Sequence, residues 1–296
     1  MTHSLAQQVV LITGASAGIG AALARLLAQQ YKGIRLVLAA RRADTLEALA
    51  KECRTLGAEV LVVPTDMAQT DQVVTLATQA IAQFGRVDTL VNNAGYGQMG
   101  PIELVPQEAI EQQFAVNVLG AIALIRALIP NMRDQGGGLI INVSSLAGRM
   151  AFPLVGTYSA SKFALEGVSD ALRRELEPFN IRVSVIEPGP VQTEFVEVAQ
   201  KRALATIPNA DQSPYQAAFE QLQTLEQRTA RQTWSSEQVA HVILKAMTAR
   251  YPRPRYIAAT GGEILVFLMT KVLPTRWSDR FWQRFYGIHK IKGARG

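Results

Sequence analysis

The sequence predicts a single doubly wound α/β domain built on a central parallel sheet. Short apolar runs alternate with longer amphipathic segments from residue 9 to residue 186, and this alternation is typical of parallel βαβ units. A glycine-rich turn follows the first apolar run. No linker or repeat interrupts the pattern, so we expect one domain over residues 1–296, with a helical lid at 196–235 and a C-terminal helical extension at 261–296.

Composition and charge narrow the classes of protein to consider. The chain is 48% hydrophobic and has one cysteine, Cys53, which excludes an internal disulfide and fits a reducing compartment. We see no signal peptide and no apolar run near the ~18 residues of a spanning helix. Residues 271–296 hold seven Lys and Arg and one acid, so the net charge of +6 lies in this tail. We expect a cytoplasmic protein that does not bind nucleic acid.

The first unit combines a strand at 9–13, a turn at 13–20 and a helix at 21–29. A strand that leads through glycines into a helix aims backbone N–H groups at a phosphate. The glycines permit the tight turn and the close approach of a pyrophosphate. An ordinary turn rich in small residues is the alternative. The predicted contacts are Gly14, Ser16, Gly18, Ile19 and Gly20.

The second strand, at 34–40, ends in Arg41 and Arg42. Many NAD-binding folds place an acid about 20 residues beyond the glycines, where it binds the ribose 2′-hydroxyl. No carboxylate stands at that position here, and an arginine fork suits a 2′-phosphate. We therefore predict NADP(H) as the cofactor, with Arg41 as the main contact and Arg42 as the second. Solvated charge at the start of the next helix, 43–56, is the alternative.

Polar or small residues follow the third and fourth strands, at 59–64 and 88–91, which flank a helix at 70–84. Ligands gather at the carboxyl ends of the strands in such sheets. Asn92 and Asn93 would also suit an ordinary turn. The predicted cofactor contacts here are Asp66, Met67, Asn93, Ala94 and Gly95.

The second half of the chain carries the candidate catalytic residues. A long helix at 107–132 contains Asn117, a polar residue that needs a buried partner among its apolar neighbours. The strand at 139–143 delivers Ser145, and a helix at 157–178 begins with Tyr158. Tyr158 and Lys162 share a helix face because they are four residues apart. Any helix can carry such a pair, but an ammonium beside a phenol lowers its pKa, so we expect a general acid and base here.

These features together resemble the short-chain dehydrogenase/reductase family, and within it the carbonyl reductases that are like hydroxysteroid and retinol dehydrogenases. The resemblance covers residues 8–195 and implies a Rossmann-type fold. The motifs that carry it are Thr13-Gly-Ala-Ser-Ala-Gly-Ile-Gly20, Asn92-Asn-Ala-Gly95, Asn117, Ser145, Tyr158-x-x-x-Lys162 and Pro188-Gly189 with Thr193.

The resemblance implies a catalytic set and further cofactor contacts. Ser145 would polarise a substrate carbonyl, and Tyr158 would supply the proton that accompanies hydride transfer. Lys162 would bind the nicotinamide ribose, and Asn117 would hold a water that relays protons to it. No metal is expected, since the three histidines match no motif. The additional cofactor contacts implied by the family are Tyr158, Lys162, Pro188, Gly189, Val191 and Thr193.

Residues 196–235 form the segment that usually sets substrate choice in this family. Its apolar residues suggest a pocket for a lipophilic ketone or alcohol, although the buried face of a helix would look the same. A 3-oxoacyl-carrier-protein reductase is the competing enzyme, but those members carry an Arg-Asp pair where this chain has residues 96–101. A non-catalytic NADP-binding regulator is a third hypothesis, against which the intact catalytic set counts. The apolar residues in question are Phe195, Ile207, Tyr215, Phe219 and Leu222.

Two surfaces suggest partners beyond a small-molecule substrate. The small residues of the helix at 157–178 and the apolar length of the helix at 107–132 suggest a homodimer or homotetramer, which this family commonly forms through these helices. In the extension, a helix at 276–286 carries a basic stripe beside aromatic residues, which fits peripheral contact with a membrane or packing on the protein itself. The stripe is Arg276, Arg280 and Arg284, and the aromatic residues are Trp277, Phe281, Trp282, Phe285 and Tyr286.

Overall fold

The computed structural model describes residues 4–192, 198–199, 202–203, 205–207, 213–221 and 233–291. Its strands are β1 (Val9–Thr13), β2 (Arg35–Ala40), β3 (Glu59–Pro64), β4 (Thr89–Asn92), β5 (Gly138–Val143), β6 (Ile181–Pro188), β7 (Val191–Gln192), β8 (Trp234–Ser235) and β9 (Arg255–Ala258). The central sheet is parallel and has the order β3-β2-β1-β4-β5-β6-β9, while β7 pairs with β8 beside it.

Helices cover both faces of this sheet. Within the described residues the helices with defined bounds are α1 (Gly18–Gln30), α2 (Ala43–Thr55), α3 (Thr70–Phe84), α4 (Gln107–Phe114), α5 (Gly120–Asp134), α6 (Gly156–Glu175), α7 (Ser236–Thr248), α8 (Gly262–Phe267) and α9 (Thr275–Phe285). Helices α1, α2 and α7 pack on one face and α3, α5 and α6 on the other. Strands β1 to β6 contribute side chains to both cores because successive side chains point to opposite faces, as those of Val10 and Leu11 do. The predicted doubly wound α/β fold is confirmed.

The sheet order creates a crevice beside β1. This strand pairs with β2 on one side and with β4 on the other, so the winding direction reverses there. Ligands of open α/β sheets bind outside the carboxyl ends of the strands at such a reversal. The glycine turn after β1 and the polar residues after β4, β5 and β6 therefore share one edge of the sheet.

The predicted long helix is confirmed as the stretch Gln107–Asp134, in which a π-helical turn, Ala115–Leu119, joins α4 to α5. By length and composition this helix is apolar enough to cross a membrane, which corrects the expectation from the sequence that no segment approaches that length. Isolated polar residues such as Asn117 interrupt the run without changing its average character. α5 contributes Leu124, Ile125 and Leu128 to the core under the sheet, as a core helix does.

The described part of the lid packs on the loop before α4. Ile207 and Phe219 join a small cluster around Val105, and the Tyr215 hydroxyl donates to Glu103 Oε1. The apolar lid residues therefore behave as a core face here, which was the alternative to a pocket wall. Phe195 and Leu222 lie outside the described residues.

The tail helix is confirmed at Thr275–Phe285, but its aromatic side is divided. Trp282 and Tyr286 pack on Phe152, with ring centroids 4.8 Å and 6.1 Å apart. Trp277 and Phe281 remain exposed. The single broad aromatic face expected from the sequence is thus two strips, because the helix lies with one edge against the body.

Candidate active site

The turn between β1 and α1 forms a cradle that only glycine can build. Gly14 has a φ of +65°, and a Cβ there would lie 2.8 Å from the Cα of Ala94. A Cβ on Gly20 would lie 2.6 Å from the Gly14 carbonyl oxygen. The N-cap of α1 is Ala17, whose methyl group cannot accept a hydrogen bond, so the first N–H groups of the helix suit a phosphate. Gly18, with a φ of +54°, and Ile19 open this helix.

The segment after β4 holds this cradle in place. Asn93 Nδ2 donates to the carbonyls of Thr13 and Gly14, at 3.0 Å and 3.2 Å. The Thr13 hydroxyl accepts from the backbone N–H groups of Asn93 and Ala94, each at 3.0 Å. The side chain of Asn93, predicted as a cofactor contact, is therefore occupied in locking two strand ends together. A Cβ on the exposed Gly95 would lie 3.5 Å from Lys162 Nζ, so this residue borders the catalytic set.

The two arginines after β2 differ in their contacts. Arg42 Nη2 donates to the hydroxyl of Ser16 at 3.4 Å, which brings its guanidinium beside the glycine turn. Arg41 is exposed at the strand end. The sequence ranked Arg41 as the main contact, whereas the structure ties Arg42 to the cradle.

The residues after β3 form a turn that also borders the crevice. Asp66 Oδ1 accepts from the backbone N–H of Ala68 at 3.0 Å, and the Asp66 N–H donates to Gln72. Met67 is buried, and its carbonyl oxygen would lie 2.1 Å from a Cβ on Gly120. The start of α5 therefore packs against this turn, and only glycine permits the approach.

Ser145 and Tyr158 meet at the carboxyl edge of β5. The Ser145 hydroxyl accepts from the Ala147 N–H at 3.1 Å and donates to the Pro188 carbonyl at 3.4 Å. It also hydrogen-bonds to Tyr158. Lys162 lies one turn further along α6, with its Nζ 5.8 Å from the centre of the Tyr158 ring. The structure thus brings Ser145, Tyr158 and Lys162 together. The fourth residue, Asn117, lies beside the lysine, since a Cβ on Gly95 would lie 3.2 Å from Asn117 Oδ1 and 3.5 Å from Lys162 Nζ.

Burial dominates the electrostatics of this group. It raises the pKa of Tyr158 to about 12, against the lowering effect of the Ser145 hydrogen bond. Burial also lowers the pKa of Lys162 to about 8, against the raising effect of Glu166. The expectation that Lys162 brings the tyrosine pKa below its usual value is not met, because burial disfavours the phenolate and outweighs the lowering effect of the Ser145 hydrogen bond.

Asn117 lies in the π-helical turn and is buried. Its Oδ1 accepts from the Tyr96 N–H at 3.0 Å, and its Nδ2 donates to the Tyr96 carbonyl at 2.9 Å and to Ser161 Oγ at 3.1 Å. The buried partner expected from the sequence is therefore the backbone of Tyr96. These bonds fix the segment after β4 against α6. The relay water stays a prediction.

The end of β6 closes the far side of the site. Pro188 is its last residue, and a Cβ on Gly189 would lie 2.8 Å from the Cβ of Ala259. Val191 follows in β7 and pairs with Trp234. Thr193, the last predicted cofactor contact, lies outside the described residues. The start of this segment nevertheless lies next to Ser145, because the Ser145 hydroxyl donates to the Pro188 carbonyl.

A charged network under the site was missed by sequence reasoning. Arg255 Nε donates to Glu166 Oε2 at 3.0 Å and lies 3.2 Å from Glu187 Oε1. Arg149 Nη1 donates to the same Glu187 oxygen at 2.9 Å. The network joins α6, β6, β9 and the turn after Ser145. Its only sequence signal is the spacing of Glu166, four residues after Lys162, because Arg255 lies 89 residues further on.

An aromatic wall beside Tyr158 was also missed. Phe152 and Tyr286 pack on Val155, Ala147 and Tyr158, and burial raises the pKa of Tyr286. The sequence counted Tyr286 among the aromatic residues of the tail but gave no sign of where the tail lies. On the lid side, the guanidinium of Arg202 stacks 4.2 Å above the Tyr96 ring. The candidate site is therefore flanked by aromatic rings on two sides.

Comparison with known proteins agrees with this geometry. The family model of the short chain dehydrogenases matches residues 8–203. The human 17-beta-hydroxysteroid dehydrogenase type 1 is 33% identical, over 85% of this chain and 77% of its own length. The 3-ketodihydrosphingosine reductase of Bacteroides thetaiotaomicron is 31% identical, over 95% of this chain and 98% of its own.

Solved structures give the same result. A short-chain dehydrogenase/reductase from Burkholderia phymatum in complex with NAD has a TM-score of 0.77 and 31% identity, over 88% of this chain and 92% of its own. A metagenomic short-chain oxidoreductase in complex with NADP has a TM-score of 0.68 and 31% identity, over 86% and 98%. The chain therefore belongs to the short-chain dehydrogenase/reductase family and is an oxidoreductase.

Proposed function

We propose that this protein is an NADP(H)-dependent oxidoreductase that interconverts a lipophilic ketone or aldehyde and its alcohol. The observation that carries the proposal is the hydrogen-bonded pair of Ser145 and Tyr158, with Lys162 beside it, at the edge of the sheet where ligands bind. A bound nicotinamide would supply or accept the hydride. The side chains of this protein then have to orient the carbonyl and move one proton.

Each polar group of the set has a role that its environment supports. Ser145 donates a hydrogen bond to the substrate oxygen and stabilises the charge that develops there. Tyr158 has a pKa raised to about 12 and is protonated at neutral pH, so it holds the proton that the substrate oxygen needs. Lys162 has a pKa of about 8 and is largely charged at neutral pH, so it stabilises the phenolate that remains. Asn117 fixes the loop that faces them.

The choice of NADP(H) rests on the residues after β2. No carboxylate follows this strand directly, and Arg42 is already held beside the glycine turn through Ser16. A guanidinium there would pair with a 2′-phosphate. The NADP complex of the metagenomic relative supports this choice, while the NAD complex of the Burkholderia relative is the alternative that measurement has to exclude.

The lipophilic substrate class rests on the walls of the site. Phe152 and Tyr286 pack beside Tyr158 on one side of the site. On the other side lies Tyr96, whose backbone N–H donates to Asn117. Aromatic walls favour apolar ligands with few polar groups. The names of the hydroxysteroid and ketodihydrosphingosine relatives point in the same direction.

We also propose a cytoplasmic homodimer or homotetramer. Leu119, the last residue of the π-helical turn before α5, and Phe163, on α6, are exposed by 60% and 45% of their surface. Both belong to the helices that the family resemblance assigns to subunit contacts. Covering them in a symmetric pair would remove two large apolar side chains from water.

The experiment is an NADPH-oxidation screen against ketones and aldehydes of graded size and polarity. We expect turnover that rises with the apolar area of the substrate and is faster with NADPH than with NADH. A preference for acyl-carrier-protein thioesters would support the competing reductase. Tight NADPH binding without turnover of any compound would support the non-catalytic regulator.

A further inference from the structure

We propose that α8, the helical turn Leu268–Val272 that follows it, and α9 together form a docking surface for an anionic lipid bilayer. We call this surface the tail patch, and its apolar members are Ile264, Phe267, Leu268, Val272, Trp277 and Phe281. The proposal does not depend on the reaction catalysed, since it concerns a face that points away from the site.

The orientation of α9 separates its residues into an inner and an outer strip. Ser278, Trp282, Phe285 and Tyr286 are partly buried along the inner strip, where Trp282 packs on Phe152. Trp277 and Phe281 are one turn apart on the outer side and are exposed by 66% and 43%. Packing on the body therefore explains three of the five aromatic residues and leaves Trp277 and Phe281 facing solvent.

The preceding helical segment, residues 262–272, also has a packed inner side and an exposed outer side. Leu265, Val266 and Met269 pack into the same cluster as Trp282, around Leu146 and Met150. Ile264 and Phe267 are exposed by 67% and 59%, and Leu268 and Val272 are also exposed. Because the inner sides of both segments meet one cluster, their outer sides face away from the same part of the body. Clustered large apolar side chains on one surface mark an interaction site.

The charges around the tail patch identify its partner. On a helix with ~100° per residue, Arg276, Arg280 and Arg284 form a stripe that runs directly beside Trp277 and Phe281, and all three are exposed. Lys271 is exposed on the preceding segment. Asp279 lies on the opposite flank of the stripe from the aromatic pair. Aromatic rings flanked by arginines suit the headgroup boundary of an anionic bilayer.

A second copy of this chain fits the patch less well. A two-fold contact brings a surface against itself. The stripe of three arginines would then face, or lie close to, its own copy, and residues 262–285 carry four bases against two acids, Glu263 and Asp279, so a self-contact brings net positive charge together. Phospholipid headgroups provide the negative charge that the patch needs.

The inner strip links this surface to the catalytic residues. Tyr286 packs in the cluster of Tyr158, so α9 separates the proposed bilayer contact from the site by one helix. If the proposed lipophilic substrate is correct, docking would bring the site close to the phase in which that substrate dissolves. This consequence rests on the proposed function, whereas docking itself does not.

The test is co-sedimentation of the full chain with vesicles of phosphatidylcholine alone or with phosphatidylserine added. We expect binding only to the anionic vesicles, at low salt, and release at high salt because exposed charges are then screened. Reversal of Arg276, Arg280 and Arg284 to Glu should weaken binding at least about a hundredfold, since the loss of each base near an anionic surface costs roughly a factor of five and the new carboxylates add repulsion. Substitution of Trp277→Ser with Phe281→Ser should abolish binding while NADPH binding is retained.

A matched control changes the net charge equally at exposed bases elsewhere. Reversal of Lys51, Lys245 and Arg253 to Glu should leave vesicle binding within about twofold of the wild type if the tail patch carries the contact. An equal loss in this control would overturn the proposal in favour of general charge attraction. A wild type that stays in the supernatant with anionic vesicles would also overturn it. A lower mass of the Trp277→Ser, Phe281→Ser variant in light scattering would instead identify the patch as a subunit interface.

Discussion

The ammonium nitrogen of Lys162 lies 5.8 Å from the ring centre of Tyr158 and donates a hydrogen bond of 2.8 Å to the Val143 carbonyl. The carbonyl belongs to β5, the strand that delivers Ser145, so this bond ties the lysine to the strand carrying the hydroxyl. The pair is buried, and burial favours the neutral form of both side chains. It raises the pKa of Tyr158 to about 12 and lowers the pKa of Lys162 to about 8. The lysine is therefore the group that titrates nearest to physiological pH.

The pH dependence of the reaction follows from this order. Below pH 8 Lys162 is charged and stabilises the phenolate that Tyr158 leaves after it donates a proton. Above pH 8 the charge is lost while the tyrosine is still protonated. We expect kcat/KM for carbonyl reduction to be constant between about pH 6 and 7.5 and to fall as pH rises through about 8. A rate that rises over the same range would contradict this assignment.

Glu166 should set the position of this fall. Its negative charge raises the pKa of Lys162 against the effect of burial. Glu166→Gln keeps the shape of the side chain and removes the charge, so the midpoint of the fall should move to lower pH. Glu175→Gln, at the exposed end of α6, is the control and should leave the profile in place. An unchanged pH profile in Glu166→Gln would show that Glu166 binds Arg255 but does not set the pKa of Lys162.

The arginines after β2 should decide cofactor choice. A charge-assisted hydrogen bond contributes about 1.5–3 kcal/mol, which corresponds to roughly tenfold or more in affinity. Arg42→Ala should raise the KM for NADPH by this amount and change the KM for NADH little, and Arg41→Ala should act in the same direction. Lys51→Ala, on the exposed side of α2, is the control. Equal use of NADPH and NADH by the wild type would reject the preference.

Leu119 and Phe163, the exposed apolar pair, should be a subunit contact. Light scattering at micromolar concentration should give the mass of a dimer or tetramer, well above the 32.2 kDa of the chain. Leu119→Glu with Phe163→Glu should lower that mass, since an interface does not tolerate buried unpaired charges. Val74→Glu, an equally exposed position on α3, should not lower it. A monomeric wild type would count against the pairing.

The sequence revealed the parts of the site that local spacing encodes. The turn around Gly14 and the pair of Tyr158 and Lys162 lie within single units of structure, so their geometry follows from the strand, turn and helix that carry them. Contacts between distant segments gave no such signal. Tyr286 reaches Phe152 across 134 residues, and Arg255 reaches Glu166 across 89. The pKa of Tyr158 was misjudged for the same reason, because its burial depends on packing by the tail.

The loop between Ser145 and α6 shows a second limit. Leu154 has a φ of 63°, a left-handed conformation that is uncommon for a residue other than glycine. Its carbonyl accepts from the Gly100 N–H at 2.7 Å, and this contact with the segment after β4 compensates the backbone strain. A propensity argument would have assigned glycine or asparagine to that position. The loop therefore owes its path to tertiary contacts.

The most direct test of the central claim compares the wild type with Tyr158→Phe. The substitution removes the phenol oxygen and keeps the ring that packs on Ala147 and Val155. We expect kcat to fall at least about a hundredfold, the lower range for loss of a general acid, while the fluorescence titration with NADPH is unchanged. Tyr251→Phe, an exposed tyrosine, should retain full activity. If Tyr158→Phe keeps more than roughly a tenth of the wild-type kcat, Tyr158 is not the proton donor and the proposed reaction site is wrong.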